Sequence, residues 1–170
     1  VGKPSLKVTS DFTETFNRTI EKFKNDAVLI GVPEADTTRN ENDAITNAAL
    51  LAIAEFGSPA NNIPPRPVLA IGIRKAAPEI AEQFKQAAIK SLKIGFSALS
   101  VYYNRAGIIA SNSVKKVIND QEGIEGPAES TIRSRLSRGF KGTKALIVTG
   151  QLRNSITYVV KARTKCRKST

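Results

Sequence analysis

The chain has no histidine and a single cysteine, Cys166. Those absences remove Ser-His-Asp and Cys-His catalysis, histidine-containing metal sites, cysteine-cluster zinc sites and any intramolecular disulfide. Carboxylates, lysines and tyrosines remain for acid–base work. Glu122 and Glu125 are spaced as a possible carboxylate pair, but they fall in QEGIEGPAE, a glycine-rich stretch with no helical support. Acid–base chemistry needs held geometry, which such a stretch does not supply. GIEGPAE is not a phosphate loop either, because it lacks the lysine-serine/threonine ending and a preceding strand. Cys166 lies between Lys165 and Arg167, whose positive field can lower a thiol pKa, yet it stands alone in a basic tail and reads as incidental. The expectation is a protein that is not an enzyme and uses no cofactor or metal.

Basic side chains are the second group with chemical potential. The net charge is +11, and residues 128 to 170 carry 11 lysines and arginines against one acid, Glu129. The rest of the chain is nearly neutral. This asymmetry points to an acidic partner, either a phosphate backbone or an acidic protein surface, with a solubilising tail as the plainer alternative. Arg133, Arg135, Arg138, Lys141 and Lys144, with Phe140 among them, are the candidate contacts to DNA or to an acidic partner. Binding to DNA through them would be electrostatic and weakened by salt. One phenylalanine is too little for a base-stacking platform, and no zinc finger, basic zipper or RNP-type strand is present.

A third feature is NNIPPRPVL, residues 61 to 69, where Pro64, Pro65 and Pro67 surround Arg66. Each proline fixes φ near about −65° and disfavours helix at the residue before it, so the segment reads as a stiff strap. It carries an arginine directly into the apolar run VLAIGI. The strap either turns the chain between two helices or presents Arg66, a planar multi-donor group, to a carboxylate or carbonyl. That acceptor would lie on a neighbour or within the same subunit. Pro64, Pro65, Arg66 and Pro67, together with Gln151 and Arg153, are the candidate interface residues.

The elements that must position these groups follow from periodicity. LKVT reads as a strand. DFTETFNRTIEKFKND reads as a helix capped by Asp11, with Phe12, Phe16, Ile20 and Phe23 as its core stripe. AVLIGVP is a buried strand, and EADTTRNEND a loop or contact arm. DAITNAALLAIAEFG is a helix capped by Asp43 and closed by Gly57. APEIAEQFKQAAIKSLKIG and SALSVYYNRAGIIASNSVKKVIND are two further helices, and Gly107 inside the second marks a break or a close approach. QEGIEGPAESTIRSRLSRGFKGTK, with four glycines, reads as an exposed loop. TGQLRNSI reads as a turn capped by Thr149, and SITYVVK as a strand. The fold class is α+β, with a small antiparallel sheet packed on one side by three to four helices. The expected organisation is one domain over 1–163, with a flexible basic loop at about 121–144 and a basic tail at 164–170. At 170 residues and 41% hydrophobic composition the chain needs no staples to fold. No apolar run approaches membrane-spanning length, and VGKPSLKVTSDF lacks the apolar centre of a secretory signal. The expectation is a soluble product made in the cytoplasm.

Three stretches together resemble a family of tailed-bacteriophage morphogenesis proteins, the neck or tail-completion proteins, and are similar to the Mu-type virion morphogenesis proteins. They are AEFGSPANNIPPRPVL, YNRAGIIASNSVKKVI and TGQLRNSITYVV, and the resemblance spans roughly residues 43 to 160. This chain departs from the family pattern at Val68, where an aromatic often follows the strap, and at Val148, where an acid commonly precedes the TG. The resemblance implies a virion structural protein, made in the host bacterial cytoplasm, that forms a ring of itself at the head–tail junction. Its implied partners are portal-side connector proteins on one side and the tail terminator or tail tube on the other, with DNA passing through the lumen. The runner-up is a small basic protein that binds nucleic acid without sequence specificity.

Overall fold

Two long helices carry the architecture. A computed structural model describes residues 12–33 and 45–162. In chain order these form α1 (Phe12–Asn25), β1 (Asp26–Gly31), α2 (Asn47–Phe56), a single 3-10 turn (Pro59–Asn61), α3 (Val68–Ile94), α4 (Ser97–Asp120), α5 (Glu129–Ser137), α6 (Gln151–Ser155) and β2 (Thr157–Ala162). The LKVT segment, Asp11, the EADTTRNEND loop, Asp43 and the tail with Cys166 lie outside the described residues.

At 27 and 24 residues, α3 and α4 are about 40 and 36 Å long. They form an antiparallel hairpin, because Gly72 near the start of α3 lies against Val114 near the end of α4. A Cβ on Gly72 would stand 2.7 Å from the Val114 Cα, so the missing side chain is what lets the two backbones approach. The Ser113 hydroxyl donates to the Gly72 carbonyl at 2.8 Å across the same crossing.

β1 and β2 make a two-stranded antiparallel ribbon with Val28 opposite Val160 and Ile30 opposite Tyr158. A lone hairpin is marginal in water, and this ribbon gains its stability by lying on α4. Gly107 explains how closely. Its added Cβ would sit 2.2 Å from the Tyr158 ring, so α4 runs unbroken and the glycine accommodates the aromatic.

Among the described residues two clusters make the core. The larger joins Leu51, Val68, Val114, Ile118, Leu152 and Ile156. Four of these, Val68, Val114, Ile118 and Ile156, are fully buried, each contributing about 1.5–3 kcal/mol. The smaller joins Ala87, Leu99 and Tyr103 beneath Phe23, Phe84, Val28 and Val160. Phe23 and Phe84 meet the Tyr103 ring edge-on at 5.7 and 5.5 Å.

The α+β class stands, with six helices among the described residues around a two-stranded sheet. Several local expectations change. β1, expected as a buried strand, has no fully buried residue and exposes Leu29, because it pairs with β2 alone and only one face of the ribbon lies on α4. In α1 it is Thr19 that is buried, while Phe16 is 41% exposed, so the aromatic stripe is not uniformly core. Thr46 caps α2, its hydroxyl accepting from the Ala49 N–H at 3.2 Å. Residues 129–137, expected as loop, form the exposed helix α5. Gly150, at φ 79°, and not Thr149, occupies the cap position of α6. The apolar run after the strap is the first part of α3, which continues through Pro78.

Candidate functional site

The strap begins where α2 ends. Gly57, at φ 75°, turns the chain out of α2, and a Cβ there would meet the Ile63 carbonyl oxygen at 2.8 Å. Ser58 and Ile63 then exchange backbone hydrogen bonds at 2.9 and 3.0 Å, closing a small excursion. The chain returns to α2 at Arg66, whose N–H donates to the Ala54 carbonyl at 2.6 Å.

The Arg66 side chain answers the question that the strap raises. Its Nε–H donates to the Glu125 carbonyl at 2.8 Å and its Nη2 to the Gly126 carbonyl at 3.0 Å. A weaker contact from Nη1 reaches the Pro64 carbonyl at 3.5 Å. The guanidinium therefore ties the strap to the segment leading into α5 of the same chain. A fork of donors suits two successive carbonyls in a way that a lysine would not.

Pro67 occupies the cap position of α3 and has no side-chain acceptor to offer its first turn. The acceptor comes from α2. The Glu55 carboxylate takes the Leu69 N–H at 2.9 Å and the Ala70 N–H at 3.0 Å. A charged acceptor on these orphan donors also sits at the positive end of the helix dipole.

Beyond α4, side chains again hold backbone. Gln121 ends α4 in the left-handed region at φ 59°, and its amide pairs with both backbone groups of Ala145, accepting at 2.7 Å and donating at 3.1 Å. Lys144 Nζ donates to the Asn119 carbonyl at 2.6 Å. Arg153 Nη1 donates to Asn119 Oδ1 at 2.9 Å, and Arg153 also contacts Asn154 Oδ1. Arg135 Nη1 donates to the Lys144 carbonyl at 2.7 Å. The loop after α5 is thus pinned to the end of α4.

These attachments enclose a groove of about 440 Å³ between α2, the strap, α5 and the TGQL turn. Its walls are mainly apolar, including Leu50, Ile53, Ile63, Leu146 and Val148, and Arg66, Arg135 and Gln151 reach it. Among the described residues no aspartate or glutamate lines it. Burial, followed by the charges of Arg138 and Arg66, pulls the Arg135 pKa below its ordinary value.

The candidate interface residues divide. Pro64, Arg66 and Gln151 meet at the groove, although they are far apart in sequence. Arg153 is engaged with Asn119 and Asn154 and does not line it. Pro65 packs over Gly57, and Pro67 leads α3. The basic stretch divides as well. Arg135 and Lys144 turn to carbonyls of their own chain, and Arg138 bonds Ser134. Arg133 and Lys141 are exposed. The carboxylate pair is not one. Glu122 is ion-paired with Lys75 of α3, and that hydrogen bond and charge hold its pKa below the ordinary carboxylate value. A general acid would need the opposite shift. Among the described residues no three acids or thiols cluster as metal ligands, and no helix is long and apolar enough to cross a membrane.

Glu55, Gln121 and Asn119 were not singled out from the sequence. Glu55 carried a signal, since it precedes a strap whose helix starts on a proline without a cap. Gln121 and Asn119 carried none. No family model, curated protein or solved structure matches the chain.

Proposed function

We propose that this chain is a non-enzymatic structural subunit of a tailed-phage virion, forming a ring at the head–tail junction that joins the connector to the tail. One observation supports this reading above the others. The three stretches that carry the family resemblance build one core: Val68 comes from the first, Val114 and Ile118 from the second, and Leu152 and Ile156 from the third. Tyr158 of the third stretch also covers Gly107 of the second. Motifs that pack on one another behave as a single fold signature and not as three separate coincidences. The hydrogen-bonded strap and loop add fixed surface, which a repeating subunit needs because floppy contacts lose binding energy to ordering.

The direct test is an infection in which this protein is withheld. The reading expects filled heads and complete tails that fail to join; joined, infectious particles would refute it.

The runner-up, a protein that binds nucleic acid without specificity, draws on exposed Arg133 and Lys141. Arg135, Arg138 and Lys144 each commit donors to groups of their own chain, which leaves fewer for phosphates and weakens it. It expects the purified protein to bind duplex DNA alone, with an affinity falling steeply with salt.

A further inference from the structure

The groove beside the strap has features of a receptor that the core does not require. Its apolar walls are open to solvent: Ile63 is 36% exposed and Val148 41%. Two guanidinium groups stand in it, and both are held in place by carbonyls of their own chain. Held donors lose little further entropy when they bind. Arg135 donates only through Nη1, so its Nε and Nη2 have no partner among the described residues. Among the described residues no carboxylate lines the groove to balance either charge.

We propose that this groove docks a segment of a protein partner that presents a carboxylate flanked by apolar side chains. The carboxylate would meet the free edge of Arg135 with Arg66 nearby, and the flanking side chains would cover Ile63 and Val148. Placing an anion there sets a counter-charge beside two guanidinium groups that share one groove. A fork of two donors on one carboxylate also fixes direction as well as affinity. A nucleic-acid backbone offers the anion but no aliphatic groups for these walls, so the apolar lining favours polypeptide. The docking site stands on the groove's geometry. Failure of the virion reading would leave it untouched, and its own failure would leave that reading in place.

A displayed library of random short peptides, panned on the full chain, tests this. The expected selection is enriched in Asp or Glu beside Leu, Ile, Val or Phe. A synthetic consensus peptide should then bind in fluorescence anisotropy. Changing its carboxylate to the amide, or making Arg135→Gln in the protein, should each weaken binding about tenfold or more. Thr131→Trp, placed on an exposed α5 position that lines the groove, should block binding by filling the groove while both arginines stay in the chain. It also keeps the test alive if Arg135→Gln fails to fold. Selection of no peptide, of basic or uncharged peptides, or of peptides indifferent to both Arg135→Gln and Thr131→Trp overturns the proposal. Duplex DNA that displaces the peptide and protects Arg135 from arginine-selective modification would assign the groove to phosphate, and would overturn it too.

Discussion

Replacing Gly72 by alanine sets two effects of opposite sign against each other. Alanine in a helix interior is favoured over glycine by about 1 kcal/mol, so propensity alone predicts a more stable protein. Packing predicts the reverse. The new Cβ would lie 2.7 Å from both the Cα and Cγ2 of Val114 and 2.9 Å from its N. Carbon atoms rest at about 3.5–4.0 Å, so α3 and α4 must separate by roughly 1 Å at their crossing. No rotamer change relieves an overlap with backbone. Overpacking of this kind costs about 1–3 kcal/mol. The separation also stretches the Ser113 hydroxyl bond to the Gly72 carbonyl, now 2.8 Å, worth about 0.5–1.5 kcal/mol. Set against the propensity gain, the net loss is about 0.5–3.5 kcal/mol. Urea unfolding followed by circular dichroism measures it. Gly31→Ala is the control, since nothing lies within 4 Å of its added Cβ. A Gly72→Ala protein as stable as the wild type, or more stable, would refute the account of the helix crossing.

Three other expectations rest on separate contacts. Glu55→Gln removes the charge that accepts two N–H groups of α3 and should cost about 0.5–2 kcal/mol in the same unfolding assay; an unchanged midpoint would mean that the cap is idle. Arg66→Ala should leave the fold intact but speed hydrogen exchange at the Ile124 N–H, because the segment held at the Glu125 and Gly126 carbonyls is freed to open and break the Ile124–Gln121 backbone hydrogen bond. Exchange unchanged there would show that the strap and loop are not coupled. Burial, and secondarily the charge of Asp26, raises the Tyr103 pKa from 10.0 to about 12. The folded protein then keeps a proton that the unfolded chain has lost, so stability should fall as pH rises from about 10 through about 12. A phenolate titration should show one late step that Tyr103→Phe removes, and a titration unaffected by that substitution contradicts the burial.

The sequence was most readable where an element's own period matched its environment. α4 was bounded correctly because its apolar positions repeat along one face and bury Leu99, Tyr103, Ala106, Ala110, Val114 and Val117. The places of β1 and β2 follow from short β-branched runs, but the burial expected of β1 does not. Readability failed where a distant residue decides the outcome. Pro67 and Pro78 suggested a late start for α3, yet the helix begins at Val68 because Glu55 supplies the missing acceptors and Gly72 lets α4 approach. α5 has no buried residue and hence no apolar period to read. α1 buries Thr19 in place of Phe16, which period alone does not foresee. At the site, the strap and TGQL were singled out as separate turns, and only the folded chain brings Arg66 and Gln151 to one groove. The five spaced cations looked equivalent in sequence, but carbonyls 7 to 25 residues away claim Arg135 and Lys144.

The measurement closest to the central proposal is the number of copies of this chain per finished particle, obtained by quantitative mass spectrometry of purified phage. The account predicts about six or twelve, the count of a closed symmetric ring at one vertex. Particles that are complete and infectious without the chain would contradict it.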